Sequence, residues 1–396
     1  MYKAYKFRIY PTNEQQTQLA KAFGCVRWYW NYSLNLCQET YKTTGKGLSR
    51  GVIQGLLPNL KKEYEWLSDA YSQCLQVVAL NLSTAYKNFF EKRAGLPSFK
   101  SKHGKQSISY PQRVTILDEA IKFPKIGEIY CKIHRPIEGS IKTVTISLNP
   151  DGKYFASILT DNGLESSTTT IIEGKAIGID VGLNHFAITS DGSKYDNPKH
   201  FKKHQKNLKR KQQKLNRKKK GSNSRNKARK LVAKVHSKIS RCREDFLHKL
   251  SRKIVNDNQV IVVENLNVKG MVRNHKLAKA ISDVSWGKFG TMLKYKAEKE
   301  GKVYLEIDRW FPSSKTCSNC LYKVSEMPLD VRHWECPSCH TQHDRDINAA
   351  INIREEGLRL LSLGTSDTAN GGNVSRAGKT SVLLDVIPIE IGSPRS

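Results

Sequence analysis

The sequence predicts an α/β chain in two parts: helices with a small antiparallel β unit first, then short buried strands alternating with helices. Three observations carry this. Apolar residues recur at helical spacing from residue 12 to about 95 and then give way to β-branched alternation. Two short apolar runs, AIGID and VIVVE, each end in a carboxylate. Downstream of both, two C-x-x-C pairs stand before a strongly amphipathic helix.

The elements follow in order. KAYKFRIY alternates like a strand, and Pro11, Thr12 and Gln15 then make a capping box. Leu19, Ala22, Phe23, Val26, Trp30 and Leu34 form the apolar stripe of the helix behind it. The basic, turn-rich LPSFKSKHGKQ leads into IKTVTISLNPDGKYFASILTD, where Pro150-Asp151-Gly152 supplies hairpin chemistry, so residues 100–165 read as antiparallel β. Residues 166–174 read as a polar linker. KAIGIDVGLNHFAITSDGSKY then opens a second domain as strand, turn and strand, with Asp191-Gly192 closing a hairpin. VIVVE and GKVYLEI are further strands, and INAAINIREEGLRLL is a helix with Ile347, Ala350, Ile351, Leu358 and Leu361 on its apolar side. Residues 363–396, rich in Gly, Ser, Thr and Asn, read as a disordered tail.

Charge narrows the function classes. Lys and Arg number 67 against 36 acids, a net +31 that favours a polyanionic partner. Residues 202–243 hold nineteen Lys or Arg and no acid, on a pattern whose apolar positions Val232, Val235, Ile239, Phe246, Leu250 and Ile254 share one helical face. This describes a packed helix with a basic outer surface, suited to nucleic-acid phosphates. No run approaches eighteen apolar residues and the N-terminus lacks a signal-peptide core, so a soluble cytoplasmic protein with no membrane partner is expected.

Cys317, Cys320, Cys336 and Cys339 have the spacing of a four-thiolate zinc site, whose filled coordination sphere makes it structural. His333, His340 and His343 are possible substitutes for one thiolate, with surface or phosphate-facing roles the simpler reading. A closed zinc activates no water, so hydrolytic chemistry must come from elsewhere. Asp180 and Glu264 end strands and Asp346 begins a helix. They meet only if the strands are sheet neighbours and the helix packs across them, the arrangement of an RNase H-like fold. Such a cluster would hold two Mg²⁺ for phosphodiester hydrolysis. Asp344, two residues earlier, reads as a cap.

The chain resembles the OrfB/TnpB proteins of bacterial insertion sequences, compact relatives of type V CRISPR nucleases. KFRIYPTNEQQ, NFFEKRAGLPSFKSK, GIDVGLNHFAITSDG, VVENL, the paired cysteines and HDRDINAAINI carry the resemblance. It implies an RNase H-like (RuvC) nuclease domain over 175–312 with basic helices at 200–256, an inserted zinc ribbon at 313–343 and the last RuvC helix at 344–362. It also implies an N-terminal β wedge with a helical recognition insert over 1–165, helix-turn-helix-like at 1–45. The activity implied is RNA-guided DNA cleavage beside a short transposon-adjacent motif, by Asp180, Glu264 and Asp346 with Mg²⁺. The partners implied are a guide RNA from the element end and double-stranded target DNA, bound by a monomer.

Lys209, Arg210, Lys211, Lys218 and Lys219, with Lys92, Arg93, Lys100 and Lys102, are candidates for RNA or heteroduplex phosphates. Gln73 and Gln76 have amides suited to adenine edges, against a default role as polar helix residues. Two other readings stand beside the nuclease: a non-cleaving RNA-guided DNA-binding regulator, and a guide-independent transposase or resolvase.

Overall fold

The computed structural model describes residues 2–163, 175–328 and 330–369, with side chains as far as residue 363. The expected linker at 166–174 and nearly all of the expected tail fall outside them. The N-terminal part is β1 (Tyr2–Tyr10), the helices α1 (Asn13–Thr44), α2 (Arg50–Gly55), α3 (Leu57–Glu63) and α4 (Ser72–Phe90), and then six strands. These are β2 (Gln106–Tyr110), β3 (Thr115–Ile116), β4 (Ala120–Phe123), β5 (Gly127–Cys131), β6 (Ser140–Leu148) and β7 (Tyr154–Asp161). Thr12 caps α1 through the capping box with Gln15, and the αL residue Gly45 stops it.

One expectation is corrected here. Residues 1–45 fold as a strand and a single 32-residue helix with no turn between helices. The apolar stripe continues unbroken from Leu19 through Cys37, and nothing between them breaks the helix. β1 lies inside a seven-stranded sheet of order β2-β6-β7-β1-β5-β4-β3, pairing with β7 from Tyr2↔Asp161 to Ile9↔Tyr154. The helices α1–α4 therefore form a long excursion between two strands of one sheet.

The second part begins with β8 (Ala176–Val181), β9 (His185–Thr189) and β10 (Lys194–Asp196), followed by α5 (His200–Asn216) and α6 (Asn223–Asp257). Next come β11 (Val260–Glu264), α7 (Val268–Met271), α8 (Ala278–Val284), α9 (Trp286–Lys299) and β12 (Val303–Ile307). The short strands β13 (His333–Glu335) and β14 (Gln342–Asp344) precede α10 (Arg345–Ala369), which extends seven residues past the expected end at 362. The five-stranded sheet has the order β10-β9-β8-β11-β12, with β11 parallel to both β8 and β12 and the β8–β9–β10 meander antiparallel.

Strand period assigns the two faces of this sheet. Ile177, Ile179, Ile261 and Val263 pack on one side with Leu250 and Ile254 of α6 and Phe289 and Leu293 of α9. Val260 and Val262 pack on the other with Ile353 of α10. VIVVE is apolar without alternation because both sides are covered. The basic helices pair along a small seam of Phe201, Leu208, Val232, Val235 and Ile239, which leaves most of their cations outward.

Two glycines let α10 lie against the sheet. A Cβ on Gly178 would enter the space of the Ala350 carbonyl oxygen and the Arg354 N–H, and one on Gly357 would collide with the Val262 side chain. The obstacle at Gly178 is helix backbone, which cannot turn aside as a side chain can. Gly178→Ala is therefore expected to destabilise the domain by about 1–3 kcal/mol, the usual cost of overpacking. Denaturant unfolding measures that loss, and an unchanged midpoint would mean that the helix yields freely.

Candidate functional site

The register Ile179↔Val263 sets Asp180 beside Glu264, at the carboxyl ends of parallel neighbours. Period two places Asp180 on the same face as Gly178, and Glu264 on the same face as Val262, which is the face covered by α10. Asp346 stands in the first turn of α10, one helical turn before the Ala350 that meets Gly178. Three separate elements thus deliver carboxylates to one end of one face.

Electrostatics register their proximity. Asp180 is pushed well above the usual carboxylate range, first by burial and then by the negative charges of Glu264 and Asp346. Burial also raises Glu264, and the Ser313 hydroxyl opposes this by donating a 2.5 Å hydrogen bond to Oε1. Arg332 Nη1 lies 3.1 and 3.3 Å from the two oxygens of Asp346. Among the described residues, the only group of three or more His, Cys, Asp and Glu side chains close enough to share a metal is the cysteine cluster. The carboxylates stand further apart, each held by a polar neighbour or by burial.

Asp344 is the cap that the sequence suggests. Its Oδ1 accepts from the N–H groups of Asp346 at 3.0 Å and Ile347 at 3.1 Å, and Lys194 Nζ lies 2.6 Å from Oδ2. Burial pushes this carboxyl up, but the Lys194 ammonium and those N–H groups hold it below its ordinary range. Asp344 thus has both oxygens engaged within the fold, one by the start of α10 and one by Lys194.

The ligand atoms of Cys317, Cys320, Cys336 and Cys339 all lie within 4.8 Å of one another. Cys317 Sγ is 3.6 Å from Cys339 Sγ, and Cys320 Sγ is 3.5 Å from Cys336 Sγ. The edge of a tetrahedron with zinc–sulfur bonds of about 2.3 Å is about 3.8 Å, so four thiolates around Zn²⁺ fit. The Thr341 hydroxyl and N–H pull Cys339 down to about 5, favouring a thiolate.

The histidines depart from expectation in one respect. His343 is not a surface residue: it is buried, its ring lies 4.7 Å from that of Trp334, and its Nε2 is 3.0 Å from Cys317 Sγ. It sits against a ligand rather than replacing one. His333 and His340 are exposed, and His340 pairs with Glu335 at 2.9 Å.

Four side chains that the sequence reading passed over tie the two sites together. Asn348 Nδ2 donates to Thr316 O at 2.8 Å, and its Oδ1 accepts from Ser318 N at 2.9 Å. Asn352 Nδ2 donates to Ser313 O at 2.7 Å and to Thr316 O. Both asparagines are buried, and with Ser313 and Arg332 they join α10, the cysteine-bearing loop and the carboxylates. Little in the sequence marks the two amides: at helical spacing Asn348 and Asn352 share a side with Arg345, Glu355, Glu356 and Arg359, an ordinary polar face.

The proposed phosphate contacts are dispersed. Lys209, Arg210 and Lys211 lie on α5, and Lys218 and Lys219 on the turn before α6; all are exposed except the half-buried Lys211. Lys92 and Arg93 follow α4, with Arg93 paired to Glu91. Lys100 and Lys102 are both exposed, and the Lys100 ammonium lies 3.8 Å from the Trp30 ring centroid, where desolvation against its neighbours and the nearby Lys105 lower it below the usual lysine range. On α4, Gln76 is exposed and Gln73 is half-buried.

Three family profiles match the chain: "Probable transposase" over residues 158–275, "Cas12f1-like, TNB domain" over 286–353 and "Helix-turn-helix domain" over 1–46. A Streptomyces pristinaespiralis protein named "Putative RNA-guided DNA endonuclease" is 38% identical over 99% of this chain and 98% of its own length. The chain belongs to the OrfB/TnpB family. InsQ of Escherichia coli K12, another TnpB-family relative of the same description, is 31% identical over 91% of this chain and 94% of its own. The fold is that of compact type V nucleases: a Cas12f1 chain from a complex with guide RNA and target DNA superposes with a TM-score of 0.55 at 14% identity, covering 89% of this TnpB-family chain and 98% of that one.

Cys336→Ser, or a zinc chelator, is expected to loosen the loop that carries Ser313 and Arg332. Protease should then cut between residues 313 and 343 while the seven-stranded sheet stays protected, and metal analysis should return one zinc per chain. A full complement of zinc in the serine variant would contradict the four-thiolate assignment.

Proposed function

We propose that the chain is an RNA-guided DNA endonuclease that hydrolyses phosphodiester bonds at Asp180, Glu264 and Asp346 in an RNase H-like (RuvC) domain. One observation carries the site: three carboxylates from distant elements share an end of one sheet face, and Asp180 is strained by the charge of the other two. The mixed sheet, with its antiparallel meander on one side and parallel strands on the other, supports the RNase H-like reading. The names of full-length relatives support RNA guidance and DNA as substrate. The guide would be an RNA from the element end, and the working particle one protein with its RNA.

The donor set fits Mg²⁺ in its chemistry, since three hard carboxylates face one end of the sheet and a cation would offset the cost of burying Asp180 and Glu264. Two ions held by Asp180, Glu264 and Asp346 would supply Lewis acidity toward the phosphate and a nucleophile at neutral pH. Ser313 fixes the Glu264 carboxylate by its donated hydrogen bond. Arg332 offsets the charge of Asp346 until substrate and cations arrive. Asp344 holds the first turn of α10, and with it the backbone that aims Asp346. The four cysteines would hold one Zn²⁺ that shapes the loop and takes no part in hydrolysis. The outward cations of α5 and α6 suit a backbone of phosphates read by shape, and base pairing with the guide supplies sequence.

Asp180→Asn tests the assignment in two ways. Cleavage of a guide-matched duplex in Mg²⁺ should fall below detection while binding of guide and target persists; cutting at the wild-type rate would reject the triad. The same change should stabilise the chain in chelator. A carboxyl raised on folding favours the fold in acid and loses that contribution as pH climbs through its folded value, so at neutral pH, where the unfolded chain is ionised at this position, Asp180 opposes folding. Removing the charge should raise the melting temperature by about 2–4 °C for each kcal/mol relieved, with the gain disappearing in acid.

A further inference from the structure

Trp310 is the most exposed of the large apolar side chains among the described residues, at 83%. Its ring carries no aromatic or cationic partner there, whereas Trp28 stacks on Tyr32, Trp286 is buried in the core and Trp334 packs on His343. An indole left in water gives up the stabilisation of burial, and the fold gains nothing visible in return.

The backbone under it is well held. Asp308 Oδ1 accepts from the Trp310 N–H at 2.8 Å, and Phe311 N–H donates to Asp308 O at 3.2 Å. Arg309 Nη2 lies 3.4 Å from Asn265 Oδ1, beside Glu264, and three residues past Trp310 the Ser313 hydroxyl binds Glu264 itself. The register Glu264↔Ile307 fixes the start of this turn next to the carboxylates. With neighbouring strands about 4.8 Å apart and three residues spanning at most about 11 Å, the Trp310 backbone lies within about 16 Å of that of Glu264.

We propose that Trp310 is a stacking platform for a nucleobase of the DNA strand that enters the carboxylate site, an assignment that rests on the nuclease reading above. A nucleobase suits the ring because the indole offers a flat π face, uncovered by any aromatic or cationic side chain among the described residues, on a pinned turn beside the carboxylates. Every base has such a face, so the contact tolerates any sequence. An enzyme that delegates sequence to a guide needs that tolerance at the point of cutting. Trp310 is a positioning residue: it would fix where the strand lies and leave the chemistry to the carboxylates.

Single-turnover cleavage of a guide-matched duplex by the RNA-loaded protein tests this. Trp310→Ala is expected to slow cutting by about 5- to 100-fold, as the loss of one base–aromatic stack would, with guide retention and target recognition unchanged. Trp310→Phe should restore most of the rate. An abasic site moved along the cut strand should slow the wild-type protein at one position and add nothing to Trp310→Ala there, a coupling that a merely structural role would not produce. Abasic effects that add fully at every position, or an alanine variant as fast as wild type, would overturn the proposal. If the wild type cuts nothing, the nuclease reading fails by itself. The platform is still tested by the affinity of the Asp180→Asn complex for a short single-stranded DNA unrelated to the guide, which Trp310→Ala should weaken by the same factor. Equal affinities there, or a lost protein contact in place of lost DNA binding, would also reject it.

Discussion

The close approach of α10 to the five-stranded sheet governs the carboxylate end of the molecule. Asp180 and Glu264 are placed by strand register, but Asp346 stands at their end of the sheet because its helix lies close against β8 and β11, backbone to backbone at Gly178 and glycine to Val262 at Gly357. Gly178 and Gly357 give up the Cβ atoms that would hold it off, at the conformational cost that glycine carries in regular elements. The helix in turn supplies Asn348 and Asn352, which saturate the backbone of residues 313–318 and bring Ser313 to Glu264. One packing contact therefore sets both the third acid and the group that orients the second.

The two metal-suited sites adjoin yet differ in kind. The sulfur cluster is closed, and Thr341 and His343 contact its ligands, a shell of the sort that orients thiolates and fixes the shape of a loop. The carboxylates are spread and their burial works against their charge. Zinc-loop geometry reaches the acids through Arg332 and the two asparagines. A loop that cannot collapse is a better support for such contacts than one held by apolar packing alone, and Cys320, Leu321 and Tyr322 show how exposed this loop is.

Strand-end acids, cysteine spacing, the capping box and the basic helices were legible because each rests on local pattern: period, spacing or charge run. The place of β1 in the seven-stranded sheet was not, since its partners lie more than a hundred residues away and alternation in KAYKFRIY says nothing of which strands it joins. The helix-turn-helix expectation came from resemblance; the family match over 1–46 carries that description, while the chain there forms one strand and one continuous helix. The helices α7 and α8 are too short, at four and seven residues, to show a period, whereas α9 carries one in Trp286, Phe289, Leu293 and Ala297 that the sequence reading passed over. At the site, the acids were visible as strand-end and helix-start carboxylates. Ser313, Arg332 and the asparagines act through tertiary contacts to backbone and carboxylate, and the sequence marks them only as polar residues among others.

The chemistry of the assembled surface bears on how sequence could be recognised at all. In the proposed reading, lysine and arginine on α5 and α6 would meet phosphates, which are the same in every sequence. Carboxylates with divalent cations would meet the scissile phosphate, and the Trp310 indole a π face. None of these distinguishes one base pair from another. Base-edge readout needs paired donors and acceptors at fixed separation, and the amides of Asn348 and Asn352 are spent on the protein's own backbone. Of the side chains suited to reading a base edge, Gln73 and Gln76 lie on α4, in the other half of the chain. A nuclease centre so indifferent to sequence would be a hazard if left ungoverned, and pairing between an RNA and its target is a source of selectivity that asks nothing further of the protein at the site of cutting.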